Sequence, residues 1–207
     1  SASVITTDSS LANDGSPLST GPHVTYCSTT ATLFRNPLSI ELFRRVRAST
    51  ASVYHLHSPW YLSSLEAALA LSDDPAVVLT IHGFQPLEST AAKLLTTAYR
   101  PFAQYVFDRV DHTIVLGPSE RDRLLEEYDV DSDDVSVIPN GIHPDSFDAS
   151  RSDIERVQAK YGIDPTTPTL LFLSRLVPLK NPDVLVDAVT EHLPDRAVDV
   201  LMVGNGD

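Results

Sequence analysis

The chain of 207 residues has a single cysteine, Cys27, and only three lysines, Lys93, Lys160 and Lys180. A lone cysteine excludes an internal disulfide and any thiolate-based metal site, and it fits a reducing cytoplasm. No apolar run approaches the roughly 20 residues a membrane-spanning helix requires. The first ten residues lack a basic flank and a long apolar stretch, so no signal peptide is read there. Internal repeats and low-complexity segments are absent as well. Basic charge is scarce: 12 Arg and 3 Lys face 20 Asp and 8 Glu, for a net charge of -13. Such a surface repels nucleic-acid phosphates and anionic lipid heads, which argues against general DNA or RNA binding. Many aspartates beside few lysines resemble the surfaces of proteins from salt-loving organisms. There the Debye length shrinks to ~3 Å at 1 M salt and self-repulsion is screened. Simple solubility explains the same balance.

Three fingerprints are also missing. No Gly-x-Gly-x-x-Gly follows a strand, and no Gly-Lys-Ser/Thr loop is present, so dinucleotide and P-loop nucleotide binding lack their motifs. No Gly-x-Ser-x-Gly elbow occurs, which disfavours a serine hydrolase.

What is present is an alternation of short apolar strands and amphipathic helices, with 42% hydrophobic residues, enough for a packed core. Strands are read at 4–6, 24–27, 53–56, 77–81, 112–116 and 135–138, then at 169–173 and 198–203. Helices are read at 60–71, 89–106 and 119–128, the last with Ser119 as its N-cap, and then at 153–161 and 181–189. Pro139-Asn140-Gly141 is a turn. The polar stretch 144–152 separates a first domain, 1–148, from a second, 149–207. Strand–helix alternation predicts α/β architecture with parallel sheets. The first apolar segment has no helix before it, and the last strand has nothing to cover it. The expectation is therefore a piece of a longer protein, incomplete at both ends.

Ligands of open parallel sheets bind beyond the carboxyl ends of the strands. Six polar clusters follow strands here: His55-x-His57-Ser58-Pro59, His82-Gly83-Phe84, Gly117-Pro118-Ser119-Glu120, Pro139-Asn140-Gly141-Ile142, the loop from Ser174 to Asn181, and Gly204-Asn205-Gly206-Asp207. Arg175 and Lys180 bracket a short loop between a buried strand and a helix start. A diphosphate there would meet a planar fork, a mobile point charge and the positive end of a helix. Two solvated surface cations are the alternative. His82 could donate to a substrate oxygen or shuttle a proton near neutral pH, or could simply pack at a strand end. His55 and His57, two apart on a strand, share a face. They lack a third ligand nearby, so no metal site is expected, and His57 is instead a candidate neighbour of a bound acceptor. Gly83, Gly141 and Gly206 mark places where the backbone must turn or approach a ligand closely.

Together, Val53-Tyr-His-Leu-His-Ser-Pro59, Leu79-Thr-Ile-His-Gly83, Val137-Ile-Pro-Asn-Gly-Ile142 with Phe147, Leu171-Phe-Leu-Ser-Arg-Leu-Val-Pro-Leu-Lys180 and Leu201-Met-Val-Gly-Asn-Gly206 resemble the family 4 glycosyltransferases, in order and approximate spacing. The resemblance implies a GT-B fold of two Rossmann-like domains. A nucleotide-diphosphate sugar donor would lie mainly on the second, and a glycan, lipid or small-molecule acceptor on the first. It implies transfer with retention of anomeric configuration and no metal or other cofactor. Arg175 and Lys180 match the pair that holds the donor diphosphate and stabilises its departing charge. His82, with Gly83, matches the histidine near the transferred sugar. Asn140 and Gly141 match the interdomain turn; Gly204, Asn205 and Gly206 match the nucleotide-side turn. His57 and Ser119 complete the acceptor-side candidates. The family's glycine-rich loop after the first strand is absent, its Glu-x7-Glu segment would lie beyond Asp207, and Asn181-Pro182 stands where glycine often follows the lysine. These departures lead to the expectation that the 207 residues alone do not turn over substrate. Two further readings fit the residues: a non-catalytic domain that binds a sugar nucleotide or a partner, and a GT-B sugar-nucleotide epimerase. Peripheral contact with the inner face of the membrane, common among such transferases, finds only Lys93 and Arg100 on the 89–106 helix to support it.

Overall fold

The computed structural model describes residues 2–8, 23–33, 36–84 and 90–206, without the side chains of 91–93. Ser89, Asp207 and the Lys93 side chain therefore lie outside the described residues. The chain divides into two compact units, Ser1–Gly141 and Ile142–Asp207.

The first unit is built on four parallel strands, β5 (Val53–His57), β6 (Ala76–Ile81), β7 (His112–Val115) and β8 (Val135–Val137), paired in that order. Before them come the parallel pair β1 (Ser3–Thr7) and β2 (His23–Cys27), and an antiparallel hairpin, β3 (Ala31–Leu33) and β4 (Asn36–Leu38). The helices are α1 (Ile40–Ala48), α2 (Leu62–Ala70), α3 (Thr90–Phe107) and α4 (Pro118–Glu127). β6 lies between two strands and its Val77, Leu79, Thr80 and Ile81 are all buried. That near-continuous burial is what covered parallel sheets impose, and it explains the run of β-branched and aliphatic residues there. Leu79, Ile81, Val106, Val115 and Leu124 are fully buried at the centre of the core. Each such side chain contributes about 1.5–3 kcal/mol by leaving water.

Two elements carry weak sequence signals and escape the periodicity reading. The hairpin strands have three residues each, too few to show a period. Helix α1 starts at Ser39, whose Oγ accepts the Leu42 N–H at 3.1 Å, and buries Leu42 and Val46 one turn apart. At α4 the expected N-cap is corrected: Gly117 holds the cap position and Pro118 the first helical position. Proline's fixed φ and missing N–H suit that first turn, which moves Ser119 inside the helix, exposed.

In the second unit a 3-10 turn (Pro144–Phe147) precedes α5 (Arg151–Tyr161), β9 (Thr169–Leu173), a second 3-10 turn (Pro178–Lys180), α6 (Pro182–His192) and β10 (Asp199–Val203). Ser150 caps α5 by accepting the Asp153 N–H, and Gly162 ends it in the left-handed conformation at φ 67°. β9 and β10 pair in parallel, Thr169 opposite Asp199 through Leu173 opposite Val203. The expectation of a buried strand before Arg175 does not hold: Leu171 and Leu173 are 61% and 71% exposed. β9 pairs with β10 alone among the described strands, and no described residue after Val135 is buried.

Candidate active site

Because β5 to β8 run parallel, their carboxyl ends open at one edge of the sheet. His57-Ser58, His82-Gly83, Gly117 and Asn140-Gly141 gather there. Side chains alternate across a strand, and β5 pairs with β6 in the register His57 opposite Thr80. His55, His57, Thr80 and His82 therefore share one face. The His55 Nε2 lies 2.7 Å from the Thr80 Oγ1, and the His57 Nδ1 lies 2.8 Å from the His82 Nε2. The His57 ring stacks on His55, at 4.6 Å between centroids, and lies nearly coplanar with the His82 ring, 5.0 Å away and joined to it edge to edge by that contact. Burial, and then the nearness of His55 and His82, hold the His57 imidazole below its ordinary value, so its neutral form is favoured.

The backbone beside this cluster is tightly set. Ser58 has φ 60°, unusual for a non-glycine residue, and precedes the fully buried Pro59; its N–H donates to the Thr80 carbonyl at 2.8 Å. Gly83 has φ 109°, which a side chain rarely adopts, and a Cβ there would sit 3.4 Å from a Glu120 carboxylate oxygen. A Cβ on Gly117 would meet the other oxygen at 3.6 Å, so this carboxylate packs between the two glycines. Phe84 is clasped edge-on by Trp60, at 5.0 Å, and from above by the Arg123 guanidinium, at 4.6 Å. Trp60 donates its indole N–H to the Tyr128 hydroxyl.

In the second unit the candidate residues follow β9 and β10. The Ser174 N–H donates to the Val203 carbonyl at 3.1 Å and the Leu176 N–H to the Asn205 carbonyl at 2.8 Å. The two strand-end loops are thus zipped together. A Cβ on Gly204 would lie 1.7 Å from the Ser174 carbonyl oxygen, and one on Gly206 would lie 2.6 Å from that of Leu176. Both glycines are required by this backbone approach, whatever else the turn binds. Arg175 and Lys180 are exposed and have no ion-pair partner among the described residues. Arg175 lines an open concavity of about 690 Å³ with Ser174, Met202, Gly204, Asn205 and Tyr161. Lys180 is not on its wall. It closes the 3-10 turn, followed by Asn181 at φ 50° and Pro182 at the start of α6, whose first turn has no side-chain cap. A further concavity of about 570 Å³, lined by residues such as Arg47, Thr50, Ser52 and Asp74, lies toward the amino ends of β5 and β6, away from these groups.

The fold therefore joins His57, His82 and Gly83 directly, with Ser119, Asn140 and Gly141 exposed at the same sheet edge. In the other unit it joins Arg175, Gly204, Asn205 and Gly206. Thr80 and Glu120 carry no role in the sequence reading; stepping back two residues from His82 along β6 would have found Thr80. No group of three His, Cys, Asp or Glu able to hold a metal ion occurs among the described residues. No described helix is long and apolar enough to cross a membrane.

A model of Glycosyltransferase Family 4 matches residues 3–146. The chain belongs to glycosyltransferase family 4. The D-inositol 3-phosphate glycosyltransferase of Nocardia farcinica (strain IFM 10152) is 30% identical to this family 4 chain over 179 residues, 81% of the chain and 39% of the relative. The Escherichia coli UDP-Gal:alpha-D-GlcNAc-diphosphoundecaprenol alpha-1,3-galactosyltransferase is 25% identical over 171 residues, 81% of the chain and 44% of the relative. The family 4 chain thus spans less than half the length of either. Among solved structures it resembles Anabaena HepE in complex with UDP, with a TM-score of 0.70 at 17% identity over 89% of this chain and 48% of that one. HepE in complex with UDP-glucose gives 0.68 at 18% identity, over 88% and 47%. At such identities the likeness concerns the fold, which is GT-B: mixed α/β with parallel sheets.

Proposed function

We propose that the protein is a glycosyltransferase that moves a sugar from a nucleoside-diphosphate donor to an acceptor hydroxyl with retention of anomeric configuration. The observation that carries this reading is the loop after β9. There two exposed cations without carboxylate partners among the described residues, Arg175 and Lys180, flank a strand end and an uncapped helix start in a family 4 chain. A diphosphate placed there gains charge-assisted hydrogen bonds and the helix dipole. These groups stabilise the charge that develops as the bond between the anomeric carbon and the diphosphate oxygen breaks. No metal is needed for that step if the cations supply the stabilisation. Gly204, Asn205 and Gly206 form the nucleotide side of this site, and HepE bound to UDP and UDP-glucose supports a uridine donor. On the first unit, His82 and Gly83 face the transferred sugar, and His57, Ser119, Asn140 and Gly141 border the acceptor. The inositol phosphate and lipid-diphosphate sugars in the relatives' names support a polyhydroxylated acceptor.

A panel of UDP-, GDP- and ADP-sugars, offered to the full-length protein with and without sugar or polyol acceptors and followed by mass spectrometry and NMR, tests the reading. Transfer with the donor's anomeric configuration kept is the expected result. Interconversion of free sugar nucleotides without acceptor, inversion, or nucleotide binding without any transfer would each overturn it.

A further inference from the structure

The His57–His82 contact constrains which atom of His82 can meet a ligand. One proton lies between the His57 Nδ1 and the His82 Nε2, 2.8 Å apart. Either both neutral rings carry their proton on Nε2 and His82 donates, or both carry it on Nδ1 and His57 donates. The Nε2–H form is the intrinsically preferred tautomer of a neutral imidazole, so the first arrangement satisfies both rings at once. We propose that His57 is a positioning residue: its Nδ1 accepts the His82 Nε2–H, which fixes the His82 ring and leaves the His82 Nδ1 as a bare acceptor for a ligand hydroxyl. No other hydrogen bond to the His82 ring occurs among the described residues. The inference rests on the transferase reading only in identifying that hydroxyl as one of a sugar or an acceptor.

The surroundings suit a neutral pair. His57 and His82 are exposed; His55 stacks on the His57 ring, and His82 meets its edge. His55 is itself tied to the Thr80 hydroxyl at 2.7 Å. The charged groups packed nearby are the Glu120 carboxylate against Gly83 and the Arg123 guanidinium on Phe84. No carboxylate bonds to the His57 ring among the described residues, and burial favours its uncharged form. Protonating His57 would place a proton on its Nδ1. The His82 Nε2 would then have to accept, the His82 proton would move to Nδ1, and the ligand-facing acceptor would become a donor. Loss of function on the acid side should therefore follow protonation of His57.

Long-range ¹H–¹⁵N NMR of the imidazoles in the 207-residue chain tests this without any need for sugar transfer, so its failure leaves the transferase reading standing. In the parent near pH 7.5, His82 is expected as a fixed Nε2–H tautomer. His57→Phe keeps a flat ring but removes the acceptor, and the His82 signals should move to the average of two exchanging tautomers. His57→Asn, whose carbonyl can take the place of Nδ1, should restore the fixed tautomer. A merely structural role for His57 would leave the tautomer of His82 unchanged in His57→Phe. That outcome, or a parent spectrum with His82 in the Nδ1–H form or averaged, would overturn the proposal. The parent spectrum alone decides if His57→Phe fails to fold.

Discussion

The two units hold their shape in different ways. In the first, the sheet is buried under helices, and Leu79, Ile81 and Val115 lie at 0% exposure. In the second, the strand pair β9–β10 leaves Leu171 at 61% and Leu173 at 71%, and Gly204 and Gly206 let the loop of Ser174–Leu176 pass where a Cβ would collide with its carbonyls. Buried side chains mark the first unit; a close backbone approach at Gly204 and Gly206 marks the second. The candidate chemistry divides the same way. The first unit offers side chains in contact, His57 on His82, while the second offers exposed cations beside a closely fitted turn.

The largest effect should separate the units outright. Ile81→Ala opens a cavity in a fully buried position and should cost about 2–5 kcal/mol in urea unfolding. Leu171→Ala, on an exposed face, should stay within about 1 kcal/mol; equal losses at the two sites would break the contrast. Next in size is Gly204→Ala, whose Cβ would meet the Ser174 carbonyl oxygen, with an expected cost of about 1–3 kcal/mol. It should show as lost hydrogen-exchange protection at the Ser174 and Leu176 amides. Gly141→Ala, with nothing within 4 Å of its Cβ, should leave exchange unchanged. The smallest effect concerns Glu66, a carboxylate buried in α2 that accepts the Ser39 N–H at 2.8 Å while its other oxygen has no partner among the described groups. Burial raises its pKa above the ordinary 4.5. A raised folded-state value means stability is fully present below 4.5 and is lost as pH rises through the folded value. Glu66→Gln keeps an acceptor for Ser39 without the charge. It should melt higher than the parent at pH 7, and the gap should close as pH falls to 4.5. A gap that widens toward acid would contradict the sign.

Much of this was legible in the sequence because it is local. The strand over Thr169–Leu173 and the stop at Gly162 follow from β-branched and aliphatic runs and from glycine's tolerance of positive φ. The carboxyl-edge placement of His57, His82 and Asn140 follows from parallel topology alone. What was not legible depends on pairing register or on distant partners. That His57 faces Thr80, and so reaches His82, is set by how β5 slides against β6. The Glu66–Ser39 bond joins residues 27 apart. The cap of α4 shifted because Pro118 competes with Ser119 for the helix start, a contest that a list of capping residues does not decide. The exposure of β9 was invisible for a related reason: Leu-Leu-Phe-Leu reads as buried, whereas burial depends on what other elements cover it.

The central claim, that Arg175 and Lys180 grip the donor diphosphate, is tested most directly by calorimetric titration of UDP into the protein and into Arg175→Ala and Lys180→Ala. Each substitution should weaken binding by about 1.5–3 kcal/mol, the worth of a hydrogen bond to a charged group. Affinity unchanged in both variants would contradict it.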